Sequence, residues 1–305
     1  MFAGEAMPIS RNLVDTRPVA PAPTSSPGLP GFPAPYWAGA RTAALYLGDC
    51  VRHLAGMPAG TVDLAFADPP FNIGYEYDQY DDRRTGGEYL AWTEEWIAAT
   101  RRVLKPTGSV YVAIGDRYAA EVKVRLDATG MTMRNWIIWH YGFGMYRADR
   151  FGACHTHVLY YTADPKRATF RADDVRERSA RQAAGDARAN PKGKIPGDVW
   201  TVSRVCGTFR ERTGHPCQMP ESILERIISA SSNPGDVVLD PFLGSGTTAA
   251  VATRLGRTAV GIELSERYLT EYVIPRISGT SPGSGRNRDA GADAVPDDPP
   301  PAPEW

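Results

Sequence analysis

Apolar residues fall along this chain in two alternating patterns. Ala43–Leu47 (A-A-L-Y-L), Val62–Ala67 (V-D-L-A-F-A), Ser109–Ile114 (S-V-Y-V-A-I), Val237–Leu239 and Thr258–Ile262 are short runs, nearly all apolar, as strands buried on both faces are. Between them the period lengthens to that of a helix. In Glu88–Leu104, Leu90, Ile97 and Leu104 recur at seven, Trp92 and Trp96 lie one turn apart, and Pro106-Thr107-Gly108 stops the run. Further helices are predicted over Tyr118–Ala128, over Met219–Ala230 with Pro220 in its first turn, from the glycine turn after Asp240 to Leu255, and from Ser265 to about Ile274. Met131–Tyr141 and His157–Thr162 are β-rich and flank the glycine-rich stretch Gly142–Gly152, which predicts a long antiparallel hairpin. Strands alternating with helices give an α/β fold, a doubly wound, mostly parallel seven-stranded sheet with that hairpin appended.

Composition trims the chain. Residues 1–38 are Pro/Ala-rich and 278–305 Pro-rich, and neither shows apolar periodicity that could offset the entropy of ordering, so both are expected to be disordered tails around a domain at 39–277. No signal-peptide pattern and no run of about 18 apolar residues is present, which leads to the expectation of a cytoplasmic protein without a membrane partner. Cys50, Cys154, Cys206 and Cys217 are scattered without a C-x-x-C, so neither a zinc site nor a disulfide framework is expected. His155 and His157 flank Thr156 but have no Cys or carboxylate close in sequence. They read as polar strand residues and no metal is expected. Net charge is −1, so no global basic field announces a nucleic acid. Charge does collect in one insert within 165–212: between Pro165 and Asp198 nine Lys/Arg face five acids. By itself such a segment reads as a solvated loop.

Chemistry enters where the strands end, because ligands of an open α/β sheet sit beyond the carboxyl ends of its strands. Asp49, Asp68, Asp240 and Glu263 all fall there. The second of these opens Asp68-Pro69-Pro70-Phe71, in which paired prolines fix the backbone and remove two N–H donors, leaving an acceptor-rich tetrapeptide. Gly244, Gly246 and Ala249 fit G-x-G-x-x-G/A with Glu263 about twenty residues on, the pattern of an anion held at a helix start and a ribose held by an acid. An NAD enzyme shares that fingerprint. However, only one strand follows it here, and D-P-P-F has no role in hydride transfer. A P-loop is excluded, since no Lys follows the glycines. S-adenosylmethionine fits an anion holder and a ribose holder whose other half comes from earlier in the chain.

D-P-P-F at Asp68–Phe71 followed far downstream by D-P-F-L-G-S-G-T-T at Asp240–Thr248 resembles the DNA amino-methyltransferases (adenine-N6 and cytosine-N4), in their circularly permuted β class. L-G-D-C at Leu47–Cys50, H-P-C-Q at His215–Gln218 and G-I-E at Gly261–Glu263 stand in the order of that class, and the resemblance runs from Leu45 to Ile274. It implies a Rossmann-like S-adenosylmethionine-dependent fold with Asp68, Pro69, Pro70 and Phe71 catalytic. Asp68 and Pro69 would accept the two N–H bonds of an adenine amine, and Phe71 would stack on the base. It implies a cofactor site of Asp49, Cys50, Asp68, His215, Gln218, Asp240, Phe242, Gly244, Ser245, Gly246, Thr247 and Glu263. It also turns the basic insert into a target-recognition region, with Arg176, Arg178, Arg181, Lys192 and Lys194 on double-stranded DNA. The expected activity is N6 methylation of a flipped-out adenine. Cytosine N4 stays open beside it, although relatives with that target tend to carry Ser in place of Asp68. A catalytically silent DNA-binding subunit and a homodimer are open too.

Overall fold

The computed structural model describes residues 29–39, 43–142, 148–207 and 209–279. Nine strands form one sheet: β1 (Trp37–Gly39), β2 (Ala43–Leu47), β3 (Val62–Ala67), β4 (Leu104–Ile114), β5 (Thr132–His140), β6 (His155–Thr162), β7 (Val199–Thr201), β8 (Val237–Asp240) and β9 (Thr258–Glu263). Their order is β1-β2-β9-β8-β3-β4-β6-β5-β7. The five strands from β2 to β4 are mutually parallel, and β6 enters antiparallel between β4 and β5. The seven expected strands form this body, and the two additions are three-residue edge strands.

Period-two alternation divides the core. Leu64 and Phe66 of β3 face one layer, whereas Ala65 and Ala67 face the other. The first layer is α5 (Glu221–Ser231), α6 (Thr247–Arg254) and a last helical segment. That segment passes from α7 (Glu266–Tyr268) through a π-turn at Leu269–Val273 into α8 (Ile274–Ile277). The second layer is α1 (Cys50–Gly56), α2 (Gly86–Val103) and α3 (Ala119–Ala128). Thr85 and Glu88 form a reciprocal capping box that starts α2. Leu64, Leu224 and Ile228 are fully buried, and truncating any of them to Ala costs about 2–5 kcal/mol.

Asp63 is the polar exception in β3. Its carboxylate pairs with Lys105 at 2.7 Å and accepts the Val237 N–H at 2.9 Å, tying β3 to both neighbours. Lys105 is available because residues 105–108 hump out of β4: the partner of Val62 is Leu104, yet that of Leu64 is already Ser109.

The boundary expected after residue 38 moves earlier. Trp37 and Ala38 are buried in β1, paired with β2, and Leu29 and Phe32 pack on the second layer. A Pro-rich stretch carries no periodicity, but here it is covered by tertiary contact. Residues 1–28 and 280–305, and with them most of both expected tails, lie outside the described residues, as does part of the glycine-rich stretch at 143–147.

Candidate active site

The carboxyl edge of the parallel strands opens into a cavity of about 930 Å³. β3 delivers Asp68 into it and Pro69-Pro70-Phe71 form its rim. Each residue of that tetrapeptide is held differently. The Pro70 carbonyl accepts from the Tyr89 hydroxyl at 2.8 Å. Phe71 lies against Gly115 at the end of β4, where a β-carbon would stand 3.1 Å from the ring. Among the described residues nothing donates to the Pro69 carbonyl or to the Asp68 carboxylate. Asp68 is half-buried and faces the cavity, so two neighbouring acceptors left open on its rim mark a place where a donor from outside can bind.

The chain after Phe71 is locked by two residues whose importance is invisible in the sequence pattern. Asn72 takes φ 56°, a left-handed conformation that Asn tolerates. Its amide donates to the Arg84 carbonyl (3.0 Å) and the Tyr118 hydroxyl (3.1 Å), and its Oδ1 accepts the Arg84 N–H (2.9 Å). Asp82, 1 % exposed, accepts the N–H groups of Asn72, Ile73 and Tyr75 at 2.8–3.0 Å.

Acidic groups dominate the floor. Burial pushes the Asp68 carboxyl up to about 8, with the neighbouring Asp240 charge adding to it. Burial likewise takes Asp240 to about 7, against the stabilising hydrogen bonds from Thr248 and from the Phe242 N–H (2.9 Å). No basic side chain counters either shift. Glu263, at the end of β9, accepts the Gly244 N–H (2.7 Å) and the Ser265 N–H (2.9 Å), and burial raises its carboxyl as well. The Gly244 N–H is thus already engaged and not free for an anion. Asp49 caps α1 by accepting the Arg52 N–H at 2.9 Å and is otherwise exposed to the cavity.

Of the expected catalytic and cofactor residues, all but Gly246 line this cavity, Cys50, Ser245 and Thr247 included. Gly246 (φ 75°) faces backwards, where a β-carbon would meet Val273 Cγ1 at 2.9 Å. His215 is a buried wall residue beneath Gly244, its ring edge-on to Tyr268 at 4.7 Å between centroids. Burial lowers it to about 4, so it is a neutral imidazole. Gln218 spends its amide on its own loop, accepting from Thr213 N–H (2.9 Å) and Oγ1 (3.0 Å) and donating to the Glu211 carbonyl (2.6 Å). Opposite stands an aromatic wall: Trp92 contacts Phe242 (5.6 Å) and Tyr80 (5.7 Å), with the Arg84 guanidinium over both Tyr80 and Trp92.

Residues 62–273, which carry all of these strand ends except that of β2, match the DNA methylase family. The chain belongs to that family of N6-adenine and N4-cytosine DNA methyltransferases. It is 38% identical over 231 residues to a DNA adenine methyltransferase of Escherichia coli (strain K12), YhdJ, covering 73% of this chain and 78% of the relative. The fold is shared with the PvuII DNA methyltransferase (cytosine-N4-specific), at TM-score 0.58 and 20% identity over 75% of this chain and 84% of that one. It is shared equally with a DNA modification methylase of Thermus thermophilus, TTHA0409, solved complexed with S-adenosyl-L-methionine, at TM-score 0.54 and 24% identity over 78% and 94%.

The five insert residues expected on DNA, Arg176, Arg178, Arg181, Lys192 and Lys194, lie away from the cavity. The insert is fastened first at the amino edge of the sheet, through Thr169 N–H to Thr107 O and Arg171 N–H to Ala230 O. Its cations largely meet its own acids: Arg176 and Lys192 with Asp173, Lys194 with Glu177. Arg178 and Arg181 make no ion pair among the described residues. None of these five lines the cavity; among the described residues its cations are Arg84, Arg117, Arg150 and Arg204, the last contributed by the insert itself. A charge count along the chain cannot see that acids and bases of one segment will pair.

Two further groups escaped the sequence reading. Trp92 was legible only as a helix-core residue, yet it half-emerges into the cavity. The carboxylate missing beside His155 and His157 is Asp116, brought across from the end of β4, with donor atoms of all three within 4.8 Å of one another. No helix of the described residues is long and apolar enough to cross a membrane, and all four cysteines are free.

Proposed function

We propose that this methylase transfers a methyl group from S-adenosylmethionine to the N6 amine of an adenine flipped out of double-stranded DNA. The carrying observation is the pair of open acceptors, the Asp68 carboxylate and the Pro69 carbonyl, in a rigid rim beside Phe71.

The cavity's chemistry suits that cofactor. Two carboxylates side by side, whose raised pKa values no cation of the described residues offsets, favour a ligand bearing positive charge. Phe242 and Trp92 offer faces for a purine, while Asp49 and Glu263 offer acceptors for amine and hydroxyl groups. When bound, the cofactor supplies an electrophilic methyl on a sulfonium centre. Everything else is done by the chain. Asp68 and Pro69 each take one N–H of the base amine, which draws the nitrogen lone pair out of the ring and aims it. Phe71, backed by Gly115, sets the plane of the base. Asp68 then accepts the proton that the amine sheds once it carries the methyl, and its environment suits a group that must gain a proton near neutral pH. Holding two reactants in line supplies much of the rate. A duplex base cannot reach this pocket without leaving the stack.

Adenine is favoured over cytosine by the Asp at position 68 and by the name of the 38%-identical relative. The shared fold does not discriminate, since a cytosine-N4-specific enzyme has it too. Mass spectrometry of nucleosides from DNA incubated with the enzyme and S-adenosylmethionine should find N6-methyladenine. N4-methylcytosine instead would overturn the base and keep the acceptor pair. Cofactor binding without any methylated product would make the chain a silent subunit.

A further inference from the structure

The Asp116, His155 and His157 cluster at the cavity rim has the composition of a three-ligand metal site. Its hydrogen bonds say otherwise. The Trp136 indole N–H, which can only donate, points at Nδ1 of His157 from 2.9 Å. Nδ1 is therefore bare and the proton of the neutral ring sits on Nε2, which lies 2.8 Å from Asp116 Oδ1. A metal on Nε2 would need the ring proton on Nδ1, where the Trp136 N–H already points. His155 Nε2 approaches the same oxygen at 3.3 Å.

Asp116 belongs to a short bridge between this cluster and the catalytic rim. Gly115 supports the ring of Phe71, Arg117 Nη1 donates to the Asn72 carbonyl at 3.0 Å, and the Tyr118 hydroxyl accepts from the Asn72 amide at 3.1 Å. The residues just after Asp68-Pro69-Pro70 are thus braced from β4, and β4's end is braced from β5 and β6 through Asp116.

We infer that His157 is a positioning residue for Phe71: its Nε2–H, fixed in that tautomer by Trp136, holds Asp116 and with it the 115–118 bridge against which the base-stacking ring rests. This rests on the proposed role of Phe71. Asp116 is 56% exposed, so its bond to His157 contributes little to global stability. Its loss should appear in turnover rather than in folding.

The test uses the full chain with His157→Ala, His157→Gln and Trp136→Phe, on DNA that the wild-type enzyme methylates. His157→Ala should lower kcat roughly tenfold, the scale of a small misplacement at a reacting centre, with unchanged KM for S-adenosylmethionine and a Tm near wild type. His157→Gln, which carries an N–H donor at similar reach, should recover most of the rate, and Trp136→Phe should fall between. Wild-type kcat in His157→Ala overturns the inference, as does no recovery in His157→Gln. So does stoichiometric Zn²⁺ retained in equilibrium dialysis by the wild type and lost in His157→Ala. A cytosine product would alter the proposed base but leave these comparisons valid. If the wild type does not turn over, the imidazole 15N shifts of His157 still decide: a proton on Nδ1 overturns the assignment.

Discussion

Asp68 is held in a state costly to a folded chain: a half-buried carboxylate beside another. Its carboxyl is raised from 3.8 to about 8, so between those pH values the native protein binds more protons than the unfolded one. Stability contributed by this group therefore falls as pH rises through that window. Asp68→Asn should melt higher than wild type at pH 8, with the gap closing toward pH 4, while methylation is nearly lost because a neutral amide is a weaker acceptor. Asp68→Ala should abolish methylation while cofactor binding is weakened but kept, since Asp240 and Glu263 remain. Thermal melts across pH beside product assays check both; a lower Tm for Asp68→Asn at pH 8 would contradict the first. A cation entering the cavity must pull the Asp68 and Asp240 carboxyls down, so S-adenosylmethionine should release protons on binding at pH 7–8. Calorimetry in buffers of different ionisation enthalpy would show it. At this scale the acid, the prolines and the aromatic were legible because their types are unusual at a strand end. Asn72 and Asp82 were not. Nothing local tells which of Asp81 and Asp82 turns inward, since the N–H groups it collects belong to Asn72, Ile73 and Tyr75.

Among elements, the glycine turn shows how a motif can be right about place and wrong about reason. Gly246 was expected at the cofactor as part of the glycine turn, yet its missing side chain makes room for the last helical segment. Val273 fills that space, and Arg276 from the same segment donates to the Ser245 carbonyl (3.3 Å) and Thr247 Oγ1 (3.0 Å). Gly246→Val should therefore lower Tm markedly, by steric conflict and by a φ that a β-branched residue resists, and weaken cofactor binding only as a consequence. A melt of the ligand-free protein separates the two: unchanged Tm with lost binding would restore the expected reason. Seven strands were readable because each is an apolar or β-rich run bounded by turn residues, and five helices because each runs long enough to show a period. β1 and β7 were not, since three residues carry none and exist only because β2 and β5 offer an edge.

For the whole molecule, the carboxyl edge gathers the cavity and its arginines, while the basic insert is anchored first at the opposite edge. Arg204→Ala and Arg150→Ala should each weaken DNA binding and reduce its salt slope by about one. Arg176→Ala, which removes the partner of Asp173 and the donor to the Gly193 carbonyl, should loosen the insert with little effect on DNA affinity. Binding titrations at several salt concentrations decide between the surfaces. Equal salt slopes for Arg204→Ala, Arg150→Ala and wild type, with a reduced slope for Arg176→Ala, would move DNA from the cavity mouth to the 165–198 part of the insert.

The parallel pairing of β2 with β9 has a consequence for how the molecule is made. Leu47 pairs with Glu263, and the Gly48 N–H is satisfied only by the Glu263 carbonyl, so Asp49 at that strand end is set in place by a partner from the far end of the domain. On the ribosome, Asp68 emerges early, long before Asp240 and the glycine turn. Synthesis at about 5–20 residues per second leaves Asp68 and its rim without Asp240, Glu263 and the glycine turn until β9 has docked. On the proposed reading, a nascent or prematurely ended chain carries the open acceptors but should not methylate DNA, and β9, the last strand among the described residues, completes the site.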